Sequence, residues 1–424
     1  MKINKDIAIL YALFIFEIGF HSLFKKWLPT SINSMLATLS SLAIVWFAYK
    51  LIKNSKNKET ITPKTEASKP NKTKSFILVF ALAIFTILFF QQFFLSTPIN
   101  IITSDIIPTT KDVYIERLFN NEFVYTPIHK GEYSWTPNYF PMHWLPFAIS
   151  EYLNFDYRLM ALFVLIGSIL FYSFHVISKT NENLNLWIKL LLPYLTLFAF
   201  HLDDKIIMGH SIETLICAYY LFFALSLLRT STVAKAIGLS SILMSRFSIV
   251  LWTPFYIFSS FIQNKKQTII LSLISIFLAL VIFVFPFIIK YPQLLTDSFD
   301  AFIPVYIKEW QGQSWQAPGD RPYQLFNGIG FANYFYSFWP GDLTQKITAF
   351  IQMQTIVNIS LPVLFFIYLR KFRKQISIQH YQLFTLKLTL IFFYSFIVVP
   401  YQYLFMVSIF VSIPIVQQFD LMKD

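Results

Sequence analysis

Continuously apolar stretches separated by short polar connections recur along the whole chain. Most of them reach the roughly 20 residues that a helix needs to cross a bilayer, and they lack the alternation typical of a membrane β-barrel. The pattern therefore predicts an all-α, polytopic integral membrane protein without a sizeable soluble domain. Single helices are predicted over residues 7–24, 33–53, 75–96, 155–178, 187–201, 211–229, 268–290, 345–369, 381–400 and 402–418.

One apolar stretch, residues 231–263, has basic residues at both ends. These are Arg229, Lys235, Lys265 and Lys266. Because basic residues collect on the cytoplasmic side, a single crossing would leave one basic end on the wrong side of the membrane. We expect two short helices folded back on each other, with Arg246 near the turn, which brings the total to about twelve transmembrane or re-entrant segments.

A basic segment between the second and third predicted helices sets the expected orientation. Residues 50–74 contain eight lysines and two glutamates, so the positive-inside rule places this segment in the cytoplasm. Its Lys, Thr, Ser, Asn and Pro content predicts a flexible linker. The chain then divides into an N-terminal helical pair (1–53), the basic linker (54–74) and a larger transmembrane domain (75–424) with two long outer loops (97–154 and 291–344).

Composition and charge agree with this topology. Hydrophobic residues make up 56% of the chain and charged residues 13%. The formal net charge of +12 is explained by cytoplasmic loops and anionic inner-leaflet lipid, so nucleic acid is not needed as a partner. We expect a multi-pass protein of the cell (inner) membrane with both termini in the cytoplasm, and a first apolar run that is retained because no small-residue cleavage site precedes Lys25.

The first outer loop contains a segment that predicts an interfacial helix. From Lys111 to Asn121, the apolar residues fall on one broad side. These residues are Val113, Ile115, Leu118 and Phe119. Asp112 would begin this helix, where backbone N–H groups and the positive end of the helix dipole favour an ionised carboxylate.

The motifs around this loop resemble the GT-C superfamily of membrane glycosyltransferases, and most closely glycosyltransferase family 87. An apolar helix and a short loop lead to D-V-Y, then R-L-F-N-N-E-F-V-Y, then W-T-P-N-Y-F-P-M-H-W-L-P-F. The positions that match the family are Asp112, Tyr114, Tyr125 and Tyr139-Phe140-Pro141. Asn121-Glu122 replaces the family's usual glycine before the second tyrosine.

Three further motifs extend the resemblance over roughly residues 75–418 and leave residues 1–74 outside it. Met208-Gly209-His210 resembles the Gly-Gln-Asn start of a middle helix, with His210 where glutamine is usual. Ser245-Arg246-Phe247 resembles a lysine-containing break between two short helices. Pro400-Tyr401-Gln402-Tyr403 resembles a late Pro-aromatic segment, without the histidine often found there.

The resemblance implies an inverting hexosyltransferase that acts on the outer face of the membrane. The expected donor is a polyprenyl-phosphate sugar, with mannose expected from the family, and the expected acceptor is a lipid-linked or extracytoplasmic glycan. No cofactor is expected, and metal-free chemistry is expected, although the sequence leaves a metal requirement open. Membrane lipid is the remaining expected partner.

Displacement at an anomeric carbon needs a base near the acceptor hydroxyl and a cation at the departing phosphate. Asp112 is the expected catalytic base. Arg246 is expected to bind the donor phosphate together with His210, because an intramembrane guanidinium is functional by default and phosphate is its natural bidentate partner. The expected substrate-binding residues are Tyr114, Glu116, Tyr139, Glu213, Trp315, Arg321, Tyr323 and Asn327.

The carboxylates of the first loop also have purely structural explanations. Asp112 could cap a surface helix or pair with Lys111, and Glu116 could form a surface ion pair with Arg117. Asp105 is expected to be a solvated loop residue.

The other candidates have structural alternatives as well. Arg246 could form an internal ion pair with another helix, and His210 and Glu213 could be a structural hydrogen-bond pair. Trp310 and Trp339 offer flat faces to a sugar ring, but Trp and Tyr collect at membrane interfaces whatever their function.

Two other functional classes remain open. A polymerase or ligase of the O-antigen type would depend mainly on outer-loop arginines, and Arg321 is isolated there. A lipid or solute transporter would prefer paired broken helices and an internal repeat, and no convincing repeat is present. Nucleotide-driven transport and zinc hydrolysis are disfavoured, because the sequence has no Walker loop, C-x-x-C or H-E-x-x-H.

Overall fold

The computed structural model describes residues 2–24, 27–56, 72–99, 106–130, 133–135, 137–180, 184–203, 205–300, 302–312 and 320–423. In the described residues, strands are confined to two short antiparallel ladders, formed by β1 (Lys2–Ile3), β2 (Ile128–Lys130), β3 (Tyr133–Trp135) and β4 (Met422–Lys423). β1 pairs with β4 and β2 pairs with β3. The two ends of the chain therefore lie side by side, at what we call the terminus end of the molecule.

The first half of the chain contains eleven α-helices in the described residues. They are α1 (Lys5–His21), α2 (Thr30–Lys56), α3 (Thr73–Ser96), α4 (Ile107–Thr109), α5 (Glu116–Phe119), α6 (Pro141–Trp144), α7 (Phe147–Tyr152), α8 (Tyr157–Lys179), α9 (Leu184–Asp203), α10 (Lys205–His210) and α11 (Glu213–Leu227). A π-helical segment, Thr110–Ile115, joins α4 to α5.

The second half begins with two short helices and ends with a long helix, followed by two helices that run in opposite directions to each other. The helices are α12 (Thr232–Leu243), α13 (Trp252–Gln263), α14 (Lys265–Ala279), α15 (Leu294–Asp300), α16 (Phe302–Gln311), α17 (Tyr323–Asn327), α18 (Ala332–Phe338), α19 (Leu343–Gln375), α20 (Ile378–Ser395) and α21 (Met406–Val416). A 3-10 turn (Phe247–Ile249) precedes α13, and a π-helical segment (Leu280–Ile288) extends α14.

Six of these helical segments are long and apolar enough to cross a membrane, within the part of the chain that the structure describes. They are Thr30–Asn54, Thr73–Ser96, Tyr157–Lys179, Leu184–Leu202, Lys265–Ile288 and Leu343–Gln375. The expectation of an all-α protein with apolar membrane helices is confirmed at this level. Three further apolar helices, α11, α12 and α21, are shorter.

Helix starts are set by side-chain caps that can be read in the sequence. In each case a side-chain oxygen accepts a hydrogen bond from a backbone N–H of the first turn, which would otherwise have no partner. The capping residues are Asp156 for α8, Ser231 for α12, Asn264 for α14, Asp342 for α19 and Ser377 for α20. Residues 231–263 form the two short helices α12 and α13 with Arg246 in the turn between them, whereas their folding back on each other as a re-entrant pair stays a prediction.

The N-terminal helical pair packs against the last two helices. α1 contacts α2 and α21, and α2 also contacts α20. Between them, the fully buried carboxylate of Glu17 accepts a hydrogen bond from Lys387 Nζ at 2.5 Å. Ser412 Oγ donates to the other oxygen of Glu17 at 2.7 Å, Ser41 also donates to Glu17, and Lys387 donates to the carbonyl of Ser408 at 2.7 Å. The predicted linker is represented only by its ends, since residues 57–71 lie outside the described residues.

The predicted second outer loop folds largely into the helices α15–α18, which bind the segment between α20 and α21 (residues 396–405). Trp310 Nε1 donates to the carbonyl of Val398 at 2.9 Å. Gly328 approaches Pro400 so closely that a Cβ at residue 328 would lie 1.3 Å from the Pro400 carbonyl oxygen. At the same end, His21 near the end of α1 hydrogen-bonds to the carbonyl of Gln402 at 2.8 Å. We call this the loop end, since α1 runs to it from the terminus end.

Candidate functional site

The helix that carries Asp112 starts earlier than predicted. It begins at Ile107, with Pro108 in its first turn, so Asp112 lies five residues inside it and the prediction that Asp112 begins the helix is wrong. Asp112 belongs to the π-helical segment, a rare backbone form that is frequent at functional sites. Its side chain is exposed, and it makes no hydrogen bond or ion pair with the described residues.

The buried face of this helix also differs from the predicted one. Tyr114 and Ile115 are fully buried, whereas Phe119 is 48% exposed. The i→i+5 hydrogen bonds of the π-helical segment change which residues share a face, so a 3.6-residue period misassigned them. Arg117 does not pair with Glu116: its guanidinium donates to the carbonyls of Val124 and Thr126. Glu116 remains exposed.

Tyr114 fixes the backbone of Tyr139, a predicted substrate-binding residue. Tyr139 N–H donates to the Tyr114 hydroxyl at 2.9 Å. The Tyr139 carbonyl accepts from the Tyr125 hydroxyl at 2.9 Å and from Trp144 Nε1 at 3.2 Å. Because both backbone polar groups are occupied by buried aromatic side chains, residue 139 is held in one position while its ring stays half-buried. Tyr114 itself therefore positions Tyr139.

His143 lies directly beside Tyr139 and was not recognised in the sequence. The two rings stack at 4.5 Å, with Tyr139 just before α6 and His143 within it. His143 is 3% exposed, and its buried Nδ1 has no hydrogen-bond partner among the described residues. Burial, reinforced by the positive charge of Arg246, holds the pKa of His143 well below its ordinary value of 6.5, so the imidazole is neutral at pH 7.

Arg246 and Glu213 meet at the turn between α12 and α13. Arg246 Nη1 donates to Glu213 Oε1 at 2.7 Å, and Nη2 donates to Oε2 at 2.5 Å. The structural alternative considered for Arg246, an internal ion pair with another helix, is thus present. The Glu213 side chain is 3% exposed and the Arg246 side chain 17% exposed, so the pair is reachable from the arginine side.

The Arg246 guanidinium keeps unused hydrogen-bonding capacity. It has five N–H donors. Nη1 makes a second, long contact of 3.5 Å with the Tyr394 hydroxyl at the end of α20. Nε and the second N–H of Nη2 have no partner among the described residues, and together they form the side-on fork that matches two oxygens of a phosphate. The ion pair leaves that fork open.

Both long loops converge on this point. The first loop lies beside Arg246 at His143, which is close enough for the Arg246 charge to act on it, and Met142 N–H donates to the carbonyl of Met244, two residues before Arg246, at 2.9 Å. The second loop binds residues 396–405, which follow Tyr394 immediately. Asp112 lies two residues before Tyr114 on the same assembly and is close enough to Tyr157 for its charge to act on that phenol.

The remaining predicted residues lie apart from Arg246. Tyr323, Asn327 and Arg321 sit together at α17. The Tyr323 hydroxyl accepts from Gln402 Nε2 at 3.4 Å, Asn327 Nδ2 donates to the Tyr323 carbonyl at 2.9 Å, and the Arg321 guanidinium lies 5.1 Å from the Phe326 ring. His210 is the last residue of α10, half-buried and three residues before Glu213.

The other aromatic and acidic candidates are buried, stacked on a neighbouring ring, or outside the described residues. Trp310 is 1% exposed and belongs to the core, so its considered role as a sugar-stacking surface is wrong. Trp339 is 43% exposed and stacks on Phe335 at 4.8 Å. Trp315 and Asp105 lie outside the described residues.

A second buried arginine shapes the loop end without joining the site. Arg158 is 3% exposed and pairs with Asp156 at 2.5 Å. Its guanidinium also donates to the carbonyls of Thr97 and Gly209, both at 2.6 Å, and of Phe94 at 3.0 Å. These contacts tie the ends of α3 and α10 to the start of α8. They also occupy the N–H donors of the Arg158 guanidinium, whereas the Arg246 guanidinium keeps unused donors.

The described residues contain no group of three or more His, Cys, Asp and Glu side chains that could hold a metal ion. Comparison of the chain with protein-family models, curated proteins and solved structures finds no match.

Proposed function

We propose that the protein is a membrane glycosyltransferase that moves a single sugar, with mannose the first candidate, from a polyprenyl-phosphate donor to a lipid-linked or extracytoplasmic glycan acceptor. The open fork of Arg246 is the observation that carries the proposal. A partly buried guanidinium with a free side-on face is built to hold a phosphate in a place where few waters compete.

The length of the α12–α13 pair supports a donor bound within the membrane. Each helix has twelve residues. Twelve residues rise about 18 Å, less than the roughly 30 Å of a hydrocarbon core. If both arms start at the cytoplasmic surface, the Arg246 turn lies in the outer half of the membrane, where the phosphate of a lipid carrier could reach it from the outer leaflet.

Asp112 is proposed as the general base. The acceptor hydroxyl attacks the anomeric carbon, the bond between that carbon and the phosphate oxygen breaks, and polyprenyl phosphate leaves with the bonding electrons. The hydroxyl proton passes to the Asp112 carboxylate, and the anomeric configuration inverts. Arg246 stabilises the negative charge that grows on the departing phosphate. An exposed carboxylate without an ion pair among the described residues suits the base role, since an acceptor hydroxyl can reach it.

The topology that goes with this mechanism has about twelve membrane segments, with α11–α13 and α21 as short or re-entrant ones. The loop end is proposed to face the outside of the inner membrane, and the terminus end the cytoplasm. The acceptor would approach from the second loop, where Tyr323, Asn327 and Arg321 offer hydrogen bonds and an aromatic face. Glu116 lies one turn beyond Asp112 and is proposed to contact sugar hydroxyls.

Transport of a lipid or solute is the second candidate, and the Glu17–Lys387 pair is the observation that favours it. Charged groups inside a membrane protein often mark a transport pathway. Yet the donors of Lys387 and both Glu17 oxygens are engaged by Ser41, Ser408 and Ser412. A fully occupied network offers no binding capacity to a cargo, so transfer is favoured.

The test is incubation of purified protein with radiolabelled polyprenyl-phosphate sugars and a total membrane lipid extract, followed by separation of labelled products. We expect one donor to yield a labelled glycolipid or glycan and release of polyprenyl phosphate. Folded protein that transfers no sugar from any donor, but moves labelled lipid across a proteoliposome membrane, would replace the transferase by the transporter.

A further inference from the structure

An apolar groove lies near the terminus end, between α2, α19 and α20. Its volume is about 340 Å³. Its lining is almost entirely apolar and includes Trp46 and Tyr49 of α2 and Leu364 and Tyr368 of α19. Trp46 is 64% exposed, Leu364 44% and Tyr368 45%, so the groove is open to the side of the bundle. The Tyr49 hydroxyl donates to Gln375 and closes the groove at the terminus end.

Basic side chains lie on several faces of α2 and α19 near that closed end of the groove. All are exposed: Lys50 and Lys53 of α2, and Arg370, Lys371, Arg373 and Lys374 of α19. Lys53 follows Tyr49 by four residues and Lys371 follows Tyr368 by three, so these two lysines continue the groove faces of their helices. α2, α19 and α20 contain no Asp or Glu, so none of the three helices neutralises this charge.

We propose that the groove binds an anionic phospholipid, with one acyl chain along the apolar lining and the phosphate on Lys53 and Lys371. The side opening lies along helices that are long and apolar enough to cross a membrane, where hydrocarbon chains are the surrounding solvent. Clusters of Lys and Arg at the cytoplasmic end of membrane helices attract anionic headgroups. Apolar lining and uncompensated positive charge meet at one edge, which matches the two parts of a phospholipid. This site is separate from Arg246 and does not depend on the proposed transfer reaction.

The test is native mass spectrometry of the purified, delipidated full-length protein titrated with phosphatidylglycerol or, in parallel, with phosphatidylcholine of the same acyl chains. We expect one tightly retained phosphatidylglycerol, with at least tenfold preference over phosphatidylcholine. The double variant Lys53→Gln/Lys371→Gln should lose most of that preference. Leu361→Trp, which fills the groove and leaves the charges in place, should weaken binding of both lipids.

Arg370→Gln is the matched control, because residue 370 follows the groove residue Leu361 by nine positions and so points about 180° away. It should change the preference less than twofold. Added inorganic phosphate should not displace the lipid, since phosphate alone lacks the chain. The proposal would be overturned if the double variant retained phosphatidylglycerol as well as the wild type, or if Arg370→Gln lost as much of the preference as the double variant. Displacement of the lipid by free phosphate would also overturn it. So would a doubled protein mass, which would show that a second copy covers the groove.

Discussion

The two carboxylate–cation pairs Glu17–Lys387 and Glu213–Arg246 differ in how completely their polar groups are used. Glu17 and Lys387 are fully buried, and serines on two helices, α2 and α21, take up the remaining donors and acceptors. Glu213 is buried, but Arg246 is 17% exposed and keeps an open fork. Each pair joins helices that are distant in sequence, so both contribute to the fold.

We interpret this difference as that between a structural pair and a proposed binding site. A buried ion pair costs desolvation, and only full hydrogen bonding makes it tolerable. The Glu17–Lys387 pair meets that condition within the protein. At the loop end, the side-on fork of Arg246, the buried Nδ1 of His143 and the exposed Asp112 carboxylate have no partners among the described residues. Substitutions should therefore affect stability at the first pair and sugar transfer at the second.

The largest expected effect is on transfer. Asp112→Asn removes the proton acceptor while leaving the side-chain shape, and should lower the transfer rate about 10²- to 10⁴-fold. The free energy of unfolding should be unchanged, because the Asp112 side chain is exposed and makes no ion pair with the described residues. The measurement is initial transfer rate with radiolabelled donor, with Glu122→Gln, an exposed carboxylate of the same loop, as control. Turnover near that of the wild type in Asp112→Asn would remove Asp112 from the base role.

The next largest effect is a loss of stability at the Glu17–Lys387 pair, without a direct effect on sugar transfer. Lys387→Met leaves the Glu17 carboxylate buried and unpaired, which should lower the free energy of unfolding by about 3–5 kcal/mol. The double variant Glu17→Leu/Lys387→Met removes both charges and should recover most of the lost free energy of unfolding. Both are measured as detergent-induced unfolding equilibria. If the single variant were as stable as the wild type, the pair would not be structural.

A smaller effect is expected where the second loop docks on residues 396–405. Gly328→Ala places a Cβ against the Pro400 carbonyl, so the loop must shift, which should cost about 1–3 kcal/mol and slow transfer by displacing Tyr394 from Arg246. Gly167→Ala in α8 is the matched control, because a Cβ there meets nothing within 4 Å. Identical stability of the two alanine variants would show that the loop contact is unimportant.

The smallest effect is a pH dependence from His143. Its folded-state pKa lies below the unfolded value of about 6.5, so the unfolded chain takes up the proton first as pH falls. Stability is therefore complete above about pH 6.5 and decreases below it, by at most about 1.4 kcal/mol per pH unit. His143→Phe should make the unfolding free energy flatter between pH 7 and 5. If the unfolding free energy of His143→Phe fell with pH as steeply as that of the wild type, protonation of His143 would not be the cause of the pH dependence.

The sequence predicted those features that depend on length and local chemistry. Apolar length located the long helices, and basic residues at both ends of residues 231–263 were enough to predict α12, α13 and the Arg246 turn. The start of the Asp112 helix was missed because a 3.6-residue period cannot show a π-helical segment. The stacking of Tyr139 on His143 was not readable from their spacing of four, because Tyr139 lies in the extended segment before α6.

Contacts between distant segments could not be read from the sequence. Glu213 was considered for substrate and Arg246 for phosphate, yet nothing in their spacing shows that one carboxylate meets one guanidinium. The lone Glu17 and Lys387 in apolar helices were a usable signal, since isolated charges in such helices need partners. Which partner each one finds depends on the packing of α1, α2, α20 and α21.

The most direct test of the account is the affinity of purified protein for polyprenyl phosphate, compared between wild type and Arg246→Lys. Lysine keeps the charge but loses the side-on fork. We predict at least tenfold weaker binding in Arg246→Lys, and less than twofold change in Arg229→Lys, whose guanidinium stacks on Phe171 away from the site. Equal affinity in wild type and Arg246→Lys would show that the open fork does not hold a lipid phosphate.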